Sequence, residues 1–144
     1  MSVKVFRTRS EEETIAVGEQ LARELPSRAT VLLIGNLGAG KTTLAKGIVK
    51  GLGAAAPEDV SSPTFTLIHE YGDAPRVYHV DLYRIDTPRE LESLGLDDVL
   101  DRDAVVLVEW GERFPYVWPA NVIEVRLKAL DDGSREIRFV AGDP

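Results

Sequence analysis

The chain has 144 residues, 44% of them hydrophobic and 28% charged, enough for one substantial core and too few for two ordinary domains side by side. A formal net charge of −7 and a pI near 4.9 disfavour direct tight binding to nucleic acid, and no lysine- and arginine-rich block offers a local exception. Cysteine is absent, which excludes disulfides, cysteine-ligated metals and a thiol nucleophile, and the two histidines, His69 and His79, lack the paired spacing of a metal site.

The opening MSVKVFRTRSEEE has neither the apolar core of a secretory signal nor the acid-poor composition of a transit peptide. No apolar run reaches membrane-spanning length, so a soluble cytoplasmic protein is expected. VKVF (3–6) reads as a short strand. Ser10 followed by Glu13 fits a capping box for a helix with Ile15, Val17, Leu21 and Leu25 roughly on one side, ended by Pro26. TVLLIG (30–35) is a continuous apolar run, as expected of a central strand covered on both faces, and helical composition follows over 43–52. AAAPEDVSSP (54–63) is a loop, TFTLIHEY (64–71) alternates like a strand, and RVYHVDLYR (76–84) is its partner across the turn GDAP, making a mixed sheet. Thr87 as N-cap with Pro88 and Glu90 opens a short helix stopping near Gly95. AVVLVEW (104–110) is another buried strand, and VIEVRLKAL (122–130), DDGS and REIRFV (135–140) form an amphipathic hairpin. The expected class is α/β, a single domain with a mixed sheet flanked by helices.

The chemistry concentrates in GNLGAGKTT (35–43), between a buried strand and a helix. Gly35, Gly40, Lys41 and Thr42 fill the pattern G-x-x-x-x-G-K-[ST], in which glycines let the backbone wrap until successive amides point at a phosphate. Lys41 can bridge the β- and γ-phosphates and the Thr42 hydroxyl can meet Mg2+, while Asn36, Leu37, Gly38, Ala39 and Gly40 contribute mostly backbone. Such a site also needs an acid at the end of a buried strand. Glu109 ends the more apolar run and Asp81 the mixed run VYHV; each could instead be a carboxylate facing solvent. In SSPTF (61–65) the hydroxyls, Thr64 among them, could reach a γ-phosphate or its water; the alternative is a plain turn opening a strand. No guanine-reading N-K-x-D follows, which favours ATP over GTP.

GNLGAGKTT, SSPTFTLIHEY, HVDLYR and LVEW, in that order, resemble the TsaE (YjeE) family over nearly the full length. These are bacterial P-loop ATPases of tRNA threonylcarbamoyladenosine biosynthesis. The resemblance implies a P-loop NTPase-like mixed sheet, binding of ATP with Mg2+, and slow hydrolysis tied to the partner proteins TsaD and TsaB. Those partners modify adenosine 37 of tRNA, so tRNA would be met through them, and the ATP cycle would reset their complex between turnovers. Carried over by position, Gly38, Ala39, Gly40, Lys41, Thr42 and Thr43 match the phosphate site, Thr42 and Glu109 the magnesium positions, and Asp81 an acid near the γ-phosphate. Glu11 and Arg135 match regions lining the nucleotide. Trp110 would support the site, a partner surface or, most simply, packing. Where the family often has proline after that tryptophan, this chain has Gly111, which puts the shape of the following turn in question.

A small-molecule P-loop kinase is the alternative. It needs an acceptor pocket and a basic lid; Arg84, Arg89 and Arg102 could supply charge, but no lid-sized insertion is visible. A nucleotide-binding module without meaningful hydrolysis is a third possibility.

Overall fold

The structure, a computed structural model, describes residues 2–73 and 76–141. Its frame is one seven-stranded mixed sheet in the order β1-β7-β6-β2-β5-β4-β3. The strands are β1 (Ser2–Thr8), β2 (Ala29–Ile34), β3 (Ile68–Tyr71), β4 (Val77–Asp81), β5 (Val105–Glu109), β6 (Ile123–Ala129) and β7 (Arg135–Ala141). β6, β2, β5 and β4 run parallel; β3 pairs antiparallel with β4, and β7 runs antiparallel to both β6 and β1. The expected α/β class with a mixed sheet flanked by helices is the one observed. β2 and β5 are buried almost throughout, as central strands covered on both faces must be, whereas β6 alternates buried and exposed positions.

Helices α1 (Glu11–Ala22) and α2 (Lys41–Gly51) cover one face, closing a core of Leu21, Leu44 and Ile48 over Val31, Leu33, Leu107 and Val125. Short helices α3 (Pro88–Ser93) and α4 (Leu96–Leu100) cover the other, where Leu91, Leu96 and Phe114 pack on Leu32, Val80 and Val106. Ser10 caps α1 as expected, its Oγ accepting from the Glu13 amide at 3.1 Å. Glu13 reaches back to the Arg9 amide at 2.7 Å rather than to that of the cap residue.

Several sequence expectations are corrected. On α1 the expected Leu21 is buried, and Val17 and, just past the helix, Leu25 pack against the same core, but the fully buried positions also include Thr14, Gly18 and Ala22, and Ile15 is only half-buried. The reason is a backbone crossing: a Cβ on Gly47 would lie 2.1 Å from the Ile15 carbonyl oxygen, and one on Gly18 would lie 2.6 Å from that of Leu44. α2 begins two residues before the expected Thr43. The strand expected over 64–71 forms only at Ile68–Tyr71, because Leu67 adopts φ 72° and its amide bonds back to the Pro63 carbonyl at 2.5 Å, closing a turn. β4 stops at Asp81 and the chain turns through Tyr83. Gly95 at φ 71° ends one short helix and opens a second, α4, that was not expected. The GDAP turn falls partly on Ala74 and Pro75, outside the described residues.

Candidate functional site

The parallel strands all end at one edge of the sheet, the place where open α/β sheets hold ligands. β2 runs into the glycine loop there, and the register pairs Leu33 with Glu109 and Asp81 with Glu109. Two carboxylates 28 residues apart in the chain thus sit side by side on adjacent strand ends, both buried. A cleft of about 320 Å³ opens above them, lined by loop residues 37–38 and 40–43 together with Ser62, Thr64, Asp81, Tyr83, Glu109, Trp110 and Arg135.

The loop is shaped to present amides. Gly38 and Gly40 take φ 81° and 105°, values that favour glycine. Gly40 is the N-cap of α2 and offers no capping side chain. The amides of Lys41, Thr42 and Thr43 belong to the first turn of α2, which leaves them no intrahelical acceptor. With the partial positive charge of the helix terminus they form a cradle that fits an anion such as a phosphate. Arg135, at the start of β7, lies directly beyond it: a Cβ on Gly40 would come within 2.8 Å of its Nη1.

Lys41 is buried, its Nζ donating to the Gly35 carbonyl at 2.8 Å and lying 3.5 Å from the centre of the Trp110 ring. Burial pushes its ammonium below the ordinary lysine range, with Glu109, Glu112 and Asp81 pulling the other way. Trp110 reaches this position because its backbone adopts φ 65°, a conformation rare for an aromatic residue. It therefore lines the cleft as well as packing against the second core, where packing was the simplest of the three roles expected for it. Tyr83 packs against it in a tilted arrangement, 5.1 Å between ring centres and 56° between planes.

The acids are held differently. Asp81 accepts from the Tyr83 amide at 2.8 Å, from the Thr64 hydroxyl at 2.9 Å and from the Ser62 hydroxyl at 3.4 Å. Glu109 accepts at a single oxygen, Oε2, from Thr42 Oγ1 at 3.1 Å and from His79 Nε2 at 2.6 Å. The two buried carboxylates share the cleft with buried Lys41 and with Arg135 across the glycine loop. Together with the Thr42 hydroxyl, these hard oxygen donors fit a divalent cation shared with phosphate and water. Among the described residues no group of three or more His, Cys, Asp and Glu forms a metal cage, and Mg2+ bound through phosphates does not require one.

Of the residues expected at the site, the structure brings Leu37, Gly38, Gly40, Lys41, Thr42, Thr43, Thr64, Asp81, Glu109 and Arg135 together around the cleft. Glu11 instead lines a neighbouring hollow with Thr8, Arg9, Ser10, Gly133 and Arg135, so Arg135 borders both. Asn36 and Ala39 are outside the lining. The Asn36 carbonyl accepts from the Ala39 amide at 3.0 Å, and the Ala39 methyl is turned into the core. Sequence reasoning missed Tyr83 and the link from His79 to Glu109. Tyr83 lies two residues past an acid at a strand end, a usable signal; the histidine contact crosses from β4 to β5 and leaves no local trace. Gly111 does not turn through a positive φ; it is buried where a Cβ would meet Leu32, Trp118 and Val108 within 3.0 Å.

Among the described residues no helix is long and apolar enough to cross a membrane. Comparison with known proteins agrees with the geometry. The family description "Threonylcarbamoyl adenosine biosynthesis protein TsaE" matches residues 8–137. The chain is 44% identical to the tRNA threonylcarbamoyladenosine biosynthesis protein TsaE of a Nostoc species, over 92% of this chain and 82% of the relative. It is 40% identical to the TsaE of Bacillus subtilis, over 94% and 84% respectively. The crystal structure of Bacillus subtilis YdiB superposes with a TM-score of 0.78 at 34% identity, covering 97% of this chain and 86% of that one. On the strength of the family match and of these relatives, the chain belongs to the TsaE family of tRNA threonylcarbamoyladenosine biosynthesis.

Proposed function

We propose that this chain is a Mg2+-dependent ATPase that serves as an accessory subunit of the tRNA N6-threonylcarbamoyladenosine machinery, its ATP cycle resetting a complex of TsaD and TsaB between turnovers. The observation that carries the reading is the meeting of the amide cradle and Lys41 with two buried strand-end carboxylates in one cleft. A phosphate cradle alone would serve many functions. An acid beside it, to hold the cation or orient an attacking water, is what a nucleotide hydrolase needs in addition.

In this reading the amides of Gly38 and of residues 40–43, with the α2 terminus, hold the phosphates, and Lys41 exchanges the Gly35 carbonyl for the β- and γ-phosphate oxygens. Thr42 and Glu109 hold the cation, Thr42 with a lone pair while its proton stays directed at Glu109. Asp81, fixed by the Tyr83 amide and the Thr64 hydroxyl, orients the attacking water. Bound Mg-ATP supplies the phosphoryl group and the charge that its transfer spreads over oxygen. The partners, and contact with tRNA through them, are what the family resemblance implies, and the acidic composition of this chain suits a division of labour in which others hold the RNA.

The test is Mg-ATP hydrolysis by this protein alone, with TsaD and TsaB, and with tRNA added. Turnover should depend on the partners and fall by about 10²-fold or more in Glu109→Ala and Asp81→Ala. Turnover indifferent to the partners would overturn the accessory role. Transfer of phosphate to an added metabolite would favour a kinase instead.

A further inference from the structure

We infer that His79 is the positioning residue of Glu109, its Nε2–H holding the carboxylate where Oε2 also meets the Thr42 hydroxyl and so setting the affinity for the divalent cation. This deepens the Mg-nucleotide reading and rests on it.

His79 lies in the middle of β4, two residues before Asp81, so strand periodicity puts both side chains on the same face of the sheet as Glu109. It is fully buried, and its Nε2 stands 2.6 Å from Glu109 Oε2. A carboxylate only accepts, so the proton must sit on Nε2. The other ring nitrogen, Nδ1, is buried without a hydrogen-bond partner among the described residues. An apolar side chain, like Val77 and Val80 in the same strand, would fill the position without stranding a polar atom. Packing therefore does not account for an imidazole here, and the bond to Glu109 does.

Glu109 also has a competing partner. Lys41 is close enough for Glu109 to raise its proton affinity electrostatically. A carboxylate free to turn towards that ammonium would leave the cation position. The imidazole and the Thr42 hydroxyl both hold Oε2 away from that exchange. Partners of this kind, one step removed from the metal, typically govern metal affinity by about 10–100-fold.

Two variants and two probes test the inference on the full chain. ADP affinity is measured in EDTA, and Mn2+ affinity of the protein–ADP complex by electron paramagnetic resonance. His79→Leu should keep cation-free ADP binding within about twofold and lose about 10–100-fold in Mn2+ affinity. His79→Gln, which retains an N–H donor, should recover most of that loss. Unchanged Mn2+ affinity in His79→Leu, no recovery in His79→Gln, or an equal fall in cation-free ADP binding would each overturn the positioning role. Wild-type protein that binds no Mn2+ with ADP would sink the Mg-nucleotide reading itself, and this inference with it. Should His79→Leu fail to fold, long-range 1H–15N spectra of the wild type decide: a proton on Nε2 that shifts in Glu109→Gln supports the bond, and a proton on Nδ1 alone refutes it.

Discussion

Lys41 and Trp110 show how a functional residue can work against stability. The φ of 65° at Trp110 costs on the order of 1–3 kcal/mol for a non-glycine residue, and what it achieves is a ring laid over a buried ammonium. Because burial lowers the Lys41 pKa from 10.5, the unfolded chain keeps its lysine proton at alkaline pH values where the native state has released it. Stability then rises with pH through that window, and below it the burial penalty is fully present. Lys41→Met should therefore melt above the wild type at pH 7, with the gap narrowing as pH approaches 10.5, while partner-dependent hydrolysis falls by about 10²-fold or more. Thermal unfolding at pH 7 and 10 checks this, and a variant that melts lower at pH 7 refutes it. The place of Lys41 beside the glycine loop was legible from G-x-x-x-x-G-K-[ST] alone. That of Trp110 was not, because it depends on a backbone conformation that residue type disfavours.

Among the elements, the crossing of α1 and α2 decides where the phosphate loop sits, since α2 begins at Lys41 and its other end is pinned against α1. The Gly18 and Gly47 backbones touch, and backbone cannot yield as a side chain can. Gly47→Ala should cost about 1–3 kcal/mol or more by forcing the helices apart, and nucleotide affinity should weaken with it as the loop shifts. Chemical denaturation beside a Lys46→Ala control, at a half-exposed position of α2, separates this from ordinary helix propensity; a change of less than about 0.5 kcal/mol would show that the crossing is slack. Counting apolar residues along α1 and just past it found Val17, Leu21 and Leu25, which pack on the core, but not Gly18, because periodicity registers hydrophobic faces and does not register a close approach of two glycines. The same limit shortened β3: TFTLIHEY alternates well, yet Leu67 leaves the extended region to return its amide to Pro63.

At the scale of the molecule, the cationic groups of the cleft are a few focused donors on a chain of net charge −7. Counterion release favours only surfaces that neutralise many phosphates together. The isolated protein is thus expected to bind tRNA more weakly than about 10⁻⁴ M at physiological salt, the weak end of nonspecific binding. Filter binding with and without the partner proteins measures this, and micromolar binding by the chain alone would reassign the RNA contact. The strand order also explains why residues from five separate stretches share one cleft. With β2 between β6 and β5, and β4 beyond β5, the glycine loop is bordered by Glu109 and Asp81 on one side, and the β6–β7 hairpin delivers Arg135 on the other.

By itself the sequence determined the local devices: the strand–loop–helix carrying the phosphate cradle, the capped starts of α1 and α3, and acids at the ends of apolar strands. Each is encoded within one or two turns of chain, where spacing and residue type suffice. Only the tertiary structure decided that Asp81 stands beside Glu109, that His79 holds Glu109 by Oε2, and that Arg135 lies over Gly40. Those relations are set by the pairing register of strands distant in sequence, which is chosen by burial of the whole sheet between its two helical layers.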